Sequence, residues 1–497
     1  MSNTLSDEQK YAFDRFCEGK NLLVAGSGGT GKSYLIENMV KYLNLTNDKA
    51  YQVTGLTGCC SVLLSNNIQI NGKNLSVKTI NSWSGIRLCK GLNEDIVSNV
   101  VKNKFLVKSW RSIKVLIIDE VSMLNCKMFN VLEEIGRKTR KNERPFGGIQ
   151  VILIGDHLQL PPVADMNDLE TTKFCFESER WYDVIPLENH IELKTIFRQK
   201  DEVFRKILNE VRIGELSQEN KEILQSRVGV KYNPDDHNGI IPIEILPTRN
   251  QVMKTNNYQY EKIKGNEFTF NSKIVTNCQI YTENNKQLSI EDSIRCRNLS
   301  PQGLEMEIKN LKANVPVEDS ISLKVGVPVM ILVNLDLENS ISNGTLGIVT
   351  SITNGIPIIK LSNGSERLIE PYTWQNSDFP SITISQIPLT LSYASSIHKQ
   401  QGSSIEMARM NLGYSIFEDS QIYVALSRVK SLEGLFLESF HAQKISVNKK
   451  AKEFYHSFPT IVPNMKEEDS SNKFINLLQT NENEVNQFSM FNFVKKM

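Results

Sequence analysis

The chain carries almost no net charge. Its 57 lysines and arginines face 56 aspartates and glutamates, leaving +1. That balance excludes a surface coated in basic side chains, so any nucleic-acid contact has to come from a local groove. There is no apolar run near eighteen residues, which argues against a membrane-spanning helix. The eight cysteines, at 17, 59, 60, 89, 126, 175, 278 and 296, show no CxxC spacing and no companion histidines. Scattered thiols in a chain this large suggest a reducing compartment, with neither a disulfide framework nor a zinc site expected. The opening MSNTLSDEQK has neither the apolar core of a secretory signal nor the arginine-rich character of a transit peptide. The expected location is therefore intracellular, in cytoplasm, nucleus or virus factory. Internal repeats are not visible, and 497 residues exceed what one core organises, implying roughly two to four domains.

What is present is concentrated in a few short strings. Asn21-Leu-Leu-Val-Ala25 predicts a buried strand, and Tyr34-Leu-Ile-Glu-Asn-Met-Val40 has helical spacing. Between them lie Gly26, Ser27, Gly28, Gly29, Thr30, Gly31, Lys32 and Ser33. A strand, a glycine-rich turn and a helix start aim several backbone N–H groups at one point, where the helix dipole adds positive potential. Lys32 is placed to reach the β- and γ-phosphates of ATP and Ser33 to ligate Mg²⁺. The chain is expected to bind a nucleoside triphosphate.

Two further apolar strands end in polar groups. Lys114-Val-Leu-Ile-Ile-Asp119-Glu120 supplies an acid for the metal, Asp119, and one for the attacking water, Glu120. Gln150-Val-Ile-Leu-Ile154 leads to Asp156 and Gln159, with Gln159 placed to sense the γ-phosphate, before a rigid Pro-Pro turn. Three such strands in one parallel sheet put their polar tips at its C-terminal edge, where α/β sheets bind ligands.

The order GSGGTGKS, IIDEVSML, FGGIQVILIGDHLQLPPV and IFRQ (196–199) resembles the Pif family of superfamily 1B DNA helicases, with RecD-like enzymes as cousins. Ile245-Leu-Pro-Thr-Arg-Asn-Gln-Val252 with Asn256, Ser396-Ile-His398-Lys399-Gln-Gln401-Gly402 and Tyr423-Val-Ala-Leu-Ser-Arg428 are similar to its later motifs. The resemblance runs from about residue 5 to 455. Departures are His157 where Phe is common, Cys59-Cys60 for a small-residue pair, and Asn81 and Trp83 for His and Phe. The Cys-Cys pair and abundant asparagine fit a large DNA virus or another AT-rich genome.

The resemblance implies an α/β fold of two RecA-like P-loop NTPase domains with a small β-barrel inserted in the second. The first domain is expected over 1–195, with a small wedge-like insertion at about 86–112. The second is expected over 196–300 and 385–460, the barrel over 301–384, and a flexible tail over 461–497. It implies an ATP-dependent helicase moving 5′ to 3′ on single-stranded DNA and opening duplex junctions. Gln9 would read the adenine edge, although Ser6 and Gln9 also spell a helix cap. Gln401 and Gly402 would join the ATP site, and Arg198 and Arg428 would face it from the second domain. The DNA path would use Thr57, Gly58, Asn81, Ser82, His398, Lys399 and Ser404. Trp83 would serve either as a stacking face or as a core aromatic. Two other readings stay open: a single-strand-binding replication accessory, and a helicase acting on RNA or hybrids. At the end of the chain, Gln487-Phe-Ser-Met-Phe-Asn-Phe-Val494 resembles a sliding-clamp-binding peptide or an amphipathic turn docking on its own protein.

Overall fold

The computed structural model describes residues 5–459 apart from 47–49, 71–72, 166, 200, 234–238, 277–293, 295, 337–340, 342, 362, 377–378, 380, 398–399 and 402–403. The peptide 487–494 therefore lies outside the described residues.

The apolar strings form the first sheet. Its strands run, edge to edge, Val77–Thr79, Tyr51–Gly55, Val115–Asp119, Gln150–Gly155, Leu22–Gly26 and His190–Leu193, and every pairing is parallel. Leu22–Gly26 and Val115–Asp119 are buried throughout, as strands with helices on both faces should be. Because all six run the same way, the glycine-rich turn after Gly26, Asp119 and the turn at Asp156 emerge along one edge.

A second, four-stranded parallel sheet has the order Ala394–Ser396, Ile243–Leu246, Ala408–Leu412, Leu435–Phe440. Between its first and second strands in sequence lies a largely antiparallel region. Five strands, Glu366–Leu368, Ile356–Leu361, Leu346–Thr353, Pro328–Ile331 and Leu389–Leu391, form one sheet. Val329, Ile331, Val349, Ile359, Trp374 and Leu389 fill its own core. Asn354 and Gly355, both at positive φ, close the Leu346–Leu361 hairpin as an Asn-Gly pair does. The range 301–384 opens with a helix, Pro301–Asn314, capped by Ser300 with Pro at its first position.

The lysine-bearing stretch 86–112 is helical: Asn93–Lys102 and Lys104–Ser112. Ile96, Val97 and Val100 recur at helical spacing and are buried. Trp110 is fully buried, and its indole N–H donates to the Ser84 carbonyl at 3.1 Å.

The last described helix, Lys449–His456, follows the second sheet in sequence but packs on the first unit. Ala451, Phe454 and Tyr455 share a core with Leu23, Leu116 and Phe129. Phe454 stacks on Phe176 with ring centroids 4.0 Å apart, and the aromatic group closes around His157 and His190. Burial holds both imidazoles down at about 4. The unfolded chain, with ordinary imidazoles near 6.5, takes up protons first. Their contribution is therefore fully present above about pH 6.5 and is lost as pH falls toward 4. His157 lies edge-on to Phe174, Phe176 and Phe454, so His157→Phe keeps the packing. The stability gap between pH 7 and 4.5, read by urea unfolding, is expected to shrink by roughly 2 kcal/mol in that variant. An unchanged gap would contradict the placement. No helix among the described residues is long and apolar enough to cross a membrane.

Candidate functional site

The phosphate loop leaves the strand Leu22–Gly26 and enters the helix Lys32–Leu45. Gly29 and Gly31 adopt φ of 90° and 77°. A Cβ on Gly29 would lie 2.5 Å from Arg198 Cβ, and one on Gly31 2.5 Å from Gln9 Nε2. Both positions need glycine on conformation and on space. Thr30 Oγ1 donates to the Ser27 carbonyl at 2.9 Å and braces the turn. Lys32 Nζ donates to the carbonyls of Gly26 and Ser27 at 2.9 Å each. Burial draws its pKa down, and the carboxylates of Asp156, Glu120 and Asp119 partly restore it.

The acids stand opposite. Burial, then the neighbouring Glu120 carboxylate, pushes the Asp119 carboxyl up to about 7, with Lys32 opposing. Cys60 Sγ lies 3.6 Å from Asp119 Oδ2. Glu120 adopts φ 60°, ψ 41°, a left-handed conformation that is costly for a residue with a side chain and is common where a functional group must be aimed. Gln401 reaches across from the second unit: its Nε2 donates to Glu120 Oε2 at 3.2 Å and to Gln159 Oε1 at 3.4 Å. Gly29, Gly31, Lys32, Asp119, Glu120 and Gln159 line a cavity of about 300 Å³ with Gly28, Ser33, Phe197, Arg198 and Arg428.

Both second-unit arginines face the loop. A Cβ on Gly28 would sit 3.4 Å from Arg428 Nη2 and 3.5 Å from Arg198 Nη1. Arg198 Nη1 donates to the Ser427 carbonyl at 3.3 Å. Burial, then the neighbouring Arg428 cation, pulls its pKa down to about 10, so it stays charged at neutral pH. Arg428 is fixed by three partners: Val424 O at 2.9 Å, Gln400 O at 3.3 Å and Ser427 Oγ at 2.7 Å.

One expectation needs correcting, at Trp83, and Gln9 shows a structural role beside the one expected of it. Gln9 has both ends of its amide engaged by the protein. Oε1 accepts the Ser6 N–H at 3.0 Å, and Nε2 donates to the Thr30 and Gly31 carbonyls at 3.2 Å each. In this geometry it anchors the phosphate loop. Trp83 is 5% exposed, its ring 4.7 Å from that of Trp110. It is a core aromatic and presents no face for a base.

Four described members of the expected DNA path, Thr57, Gly58, Asn81 and Ser82, lie together at one edge of the first sheet. Strands Tyr51–Gly55 and Val77–Thr79 pair in parallel, with Gly55 opposite Thr79, so Thr57 and Gly58 follow one and Asn81 and Ser82 follow the other. Thr57 caps the helix Gly58–Asn67, accepting from Cys60 N–H at 3.1 Å. Thr79 accepts from Ser82 N–H at 3.3 Å. Ser82 is exposed, and Asn81 keeps a buried Oδ1 without a hydrogen-bond partner. Ser404 is half-buried in the second unit. His398, Lys399 and Gly402 lie outside the described residues.

The sequence reading missed Phe197 and Tyr423. Phe197 is half exposed and packs 3.5 Å from the position of a Gly31 Cβ, with its N–H donating to the Gly29 carbonyl at 2.8 Å. Both lie inside strings already singled out, IFRQ and YVALSR, whose arginines drew the attention.

Residues 4–222 match the family model described as PIF1-like helicase, and residues 307–352 match that described as DNA helicase Pif1, 2B domain. The ATP-dependent DNA helicase PIF1 of Xenopus laevis is 31% identical over 457 residues, covering 91% of this chain and 64% of the frog protein. The chain thus spans somewhat under two thirds of the length of that curated relative. Among solved structures, Pif1 helicase from Candida albicans is 30% identical with a TM-score of 0.67, covering 92% of this chain and 100% of that one. Pif1 from Bacteroides sp, in complex with ADP-AlF4, is 24% identical and shares the fold at a TM-score of 0.69.

Proposed function

Because this chain belongs to the PIF1-like helicase family, we propose that it is an ATP-dependent DNA helicase that moves 5′ to 3′ along a single strand and separates duplex ahead of it in replication, repair or recombination. The observation that carries the proposal is the convergence of Arg198, Arg428 and Gln401, all from one unit, on the glycine loop, Glu120 and Gln159 of the other.

In this reading Lys32 turns from the Gly26 and Ser27 carbonyls to the phosphates. Glu120 accepts the proton of the attacking water, which the Gln159 and Gln401 amides orient. The two guanidiniums meet charge that builds on the γ-phosphate oxygens during transfer. Ser33 and Asp119 offer a hard oxygen pair that suits Mg²⁺, and a raised Asp119 pKa is what a buried carboxylate shows before a cation compensates it. Held by Ser33 and Asp119, Mg²⁺ would supply positive charge against the phosphates. With arginines in one unit and the phosphate loop in the other, hydrolysis is coupled to closing and opening of the cleft. Two units that grip a strand differently in the two states can step along it. Thr57, Ser82, Lys399 and Ser404 supply backbone-reading groups for that grip.

The test is strand displacement from partial duplexes carrying a 5′ or a 3′ single-stranded tail. Displacement is expected only with the 5′ tail and only with Mg-ATP. Equal displacement from both tails refutes the polarity, and none from either refutes the function. The clamp-binding reading of Gln487–Val494 predicts that deleting residues 487–497 abolishes capture by an immobilised sliding clamp; capture undiminished by the deletion would reject it.

A further inference from the structure

One contact in the cleft has no part in the chemistry above. Tyr423, in the helix Gln421–Leu426 of the second unit, is 2% exposed. Its hydroxyl accepts the Gly28 N–H at 3.1 Å and donates to Asp156 Oδ2 at 3.5 Å. Gly28 and Asp156 belong to different loops of the first unit, so one phenol oxygen joins both of them to the second.

The direction of those bonds is fixed by Asp156. Arg212 forks onto both its oxygens at 3.0 and 2.9 Å, and Tyr455 donates to Oδ1 at 2.9 Å. Burial alone would raise the Asp156 carboxyl, but the Arg212 guanidinium and its hydrogen bonds hold it below the usual carboxylate range. It is therefore an ionised, acceptor-only group at neutral pH. The Tyr423 proton goes to it, which leaves the phenol lone pairs for the Gly28 amide.

The other end of the same short block is Arg428. Its guanidinium bonds back to the Val424 carbonyl and to Ser427 Oγ, and the Ser427 carbonyl accepts from Arg198. The phenol oxygen and the Arg428 fork are therefore held in one rigid relation. Wherever Tyr423 seats on Gly28, Arg428 follows, with Nη2 3.4 Å from the place of a Gly28 Cβ.

We propose that Tyr423 is a positioning residue for hydrolysis, its hydroxyl seating the helix Gln421–Leu426, and with it Arg428 just past the helix end, on the Gly28 amide while Asp156 orients that hydroxyl. The inference rests on the reading of the cleft as an ATPase site. It differs from a packing role because the ring and the hydroxyl can be separated: Tyr423→Phe keeps the buried ring and removes only the bridge.

The experiment is a double-mutant cycle on the full chain with single-stranded DNA, comparing Tyr423→Phe in the unmutated and in the Arg428→Ala backgrounds. Loss of one buried hydrogen bond that matters in the transition state is expected to lower kcat about tenfold, with KM for ATP within about twofold. In the Arg428→Ala background the same change is expected to lower kcat less than about twofold, because the group being positioned is already gone. Fluorescent ADP should bind Tyr423→Phe as it binds the unmutated protein, which certifies the fold of the loop. An equal loss in both backgrounds, no loss in either, or weakened ADP binding in place of a kcat defect overturns the proposal. Absence of ATP hydrolysis by the unmutated protein refutes the reading of the cleft itself, and the proposal with it.

Discussion

Lys32→Ala is expected to lower DNA-stimulated ATP hydrolysis by about a thousandfold while single-strand binding stays within a few-fold of the unmutated protein. Among the described residues, the ammonium is the one lysine in a cavity that also holds Asp119, Glu120 and two arginines. Its loss removes positive charge facing the phosphates and leaves Asp119 and Glu120 with less compensation, which pushes the Asp119 carboxyl further up from about 7. Weaker metal binding follows, because a protonated acid is a poor Mg²⁺ ligand. The DNA-path residues Thr57, Ser82 and Ser404 lie outside the cavity lining, so strand binding should survive. Phosphate release and fluorescence anisotropy with oligo(dT), on the same preparation, check the two halves. Hydrolysis within tenfold of the unmutated protein would refute the assigned loop.

The second large effect is at Arg428. Arg428→Ala is expected to lower kcat by roughly 10³-fold or more, with KM for ATP changed less than about fivefold, because the guanidinium acts on charge present only in the transition state. Lysine should not rescue it. Nε, Nη1 and Nη2 each have their own partner in Val424, Gln400 and Ser427, and an ammonium cannot reproduce that fork. The side chain is also 1% exposed, so a melting curve must accompany the kinetics. A variant that melts normally and has lost kcat locates the defect in the chemistry. A variant that melts normally and hydrolyses at the normal rate contradicts the placement of Arg428.

The ATP half of the site was legible because each part is local. An apolar strand ending in Gly26, Asp119 or Asp156 carries its own signal, and a parallel sheet aligns the ends without further information. The fold class followed from the same strings through their resemblance to a known family. What was not legible depends on contacts remote in sequence. The hold of the Gln9 amide on the Thr30 and Gly31 carbonyls is one such contact. Trp83, in the five-residue helix Ile80–Ser84, gives no periodicity to say which side it faces; Trp110, in another helix, decides it. Lysines between 86 and 112 hid the buried stripe of Ile96, Val97 and Val100. Helix Lys449–His456 follows the second unit in sequence, and only the aromatic shell around His157 reveals that it rests on the first. Tyr423 meets a partner 395 residues away, a separation that no motif records.

The central claim is that one cleft between two units links a triphosphate to a single strand. It is tested most directly by the steady-state rate of ATP hydrolysis with and without saturating oligo(dT), at fixed Mg-ATP. Stimulation of at least about tenfold is predicted, since strand binding across both units should favour the closed cleft in which Arg198 and Arg428 reach the phosphates. An equal rate in the presence and absence of DNA, from protein that demonstrably binds the strand, would contradict it.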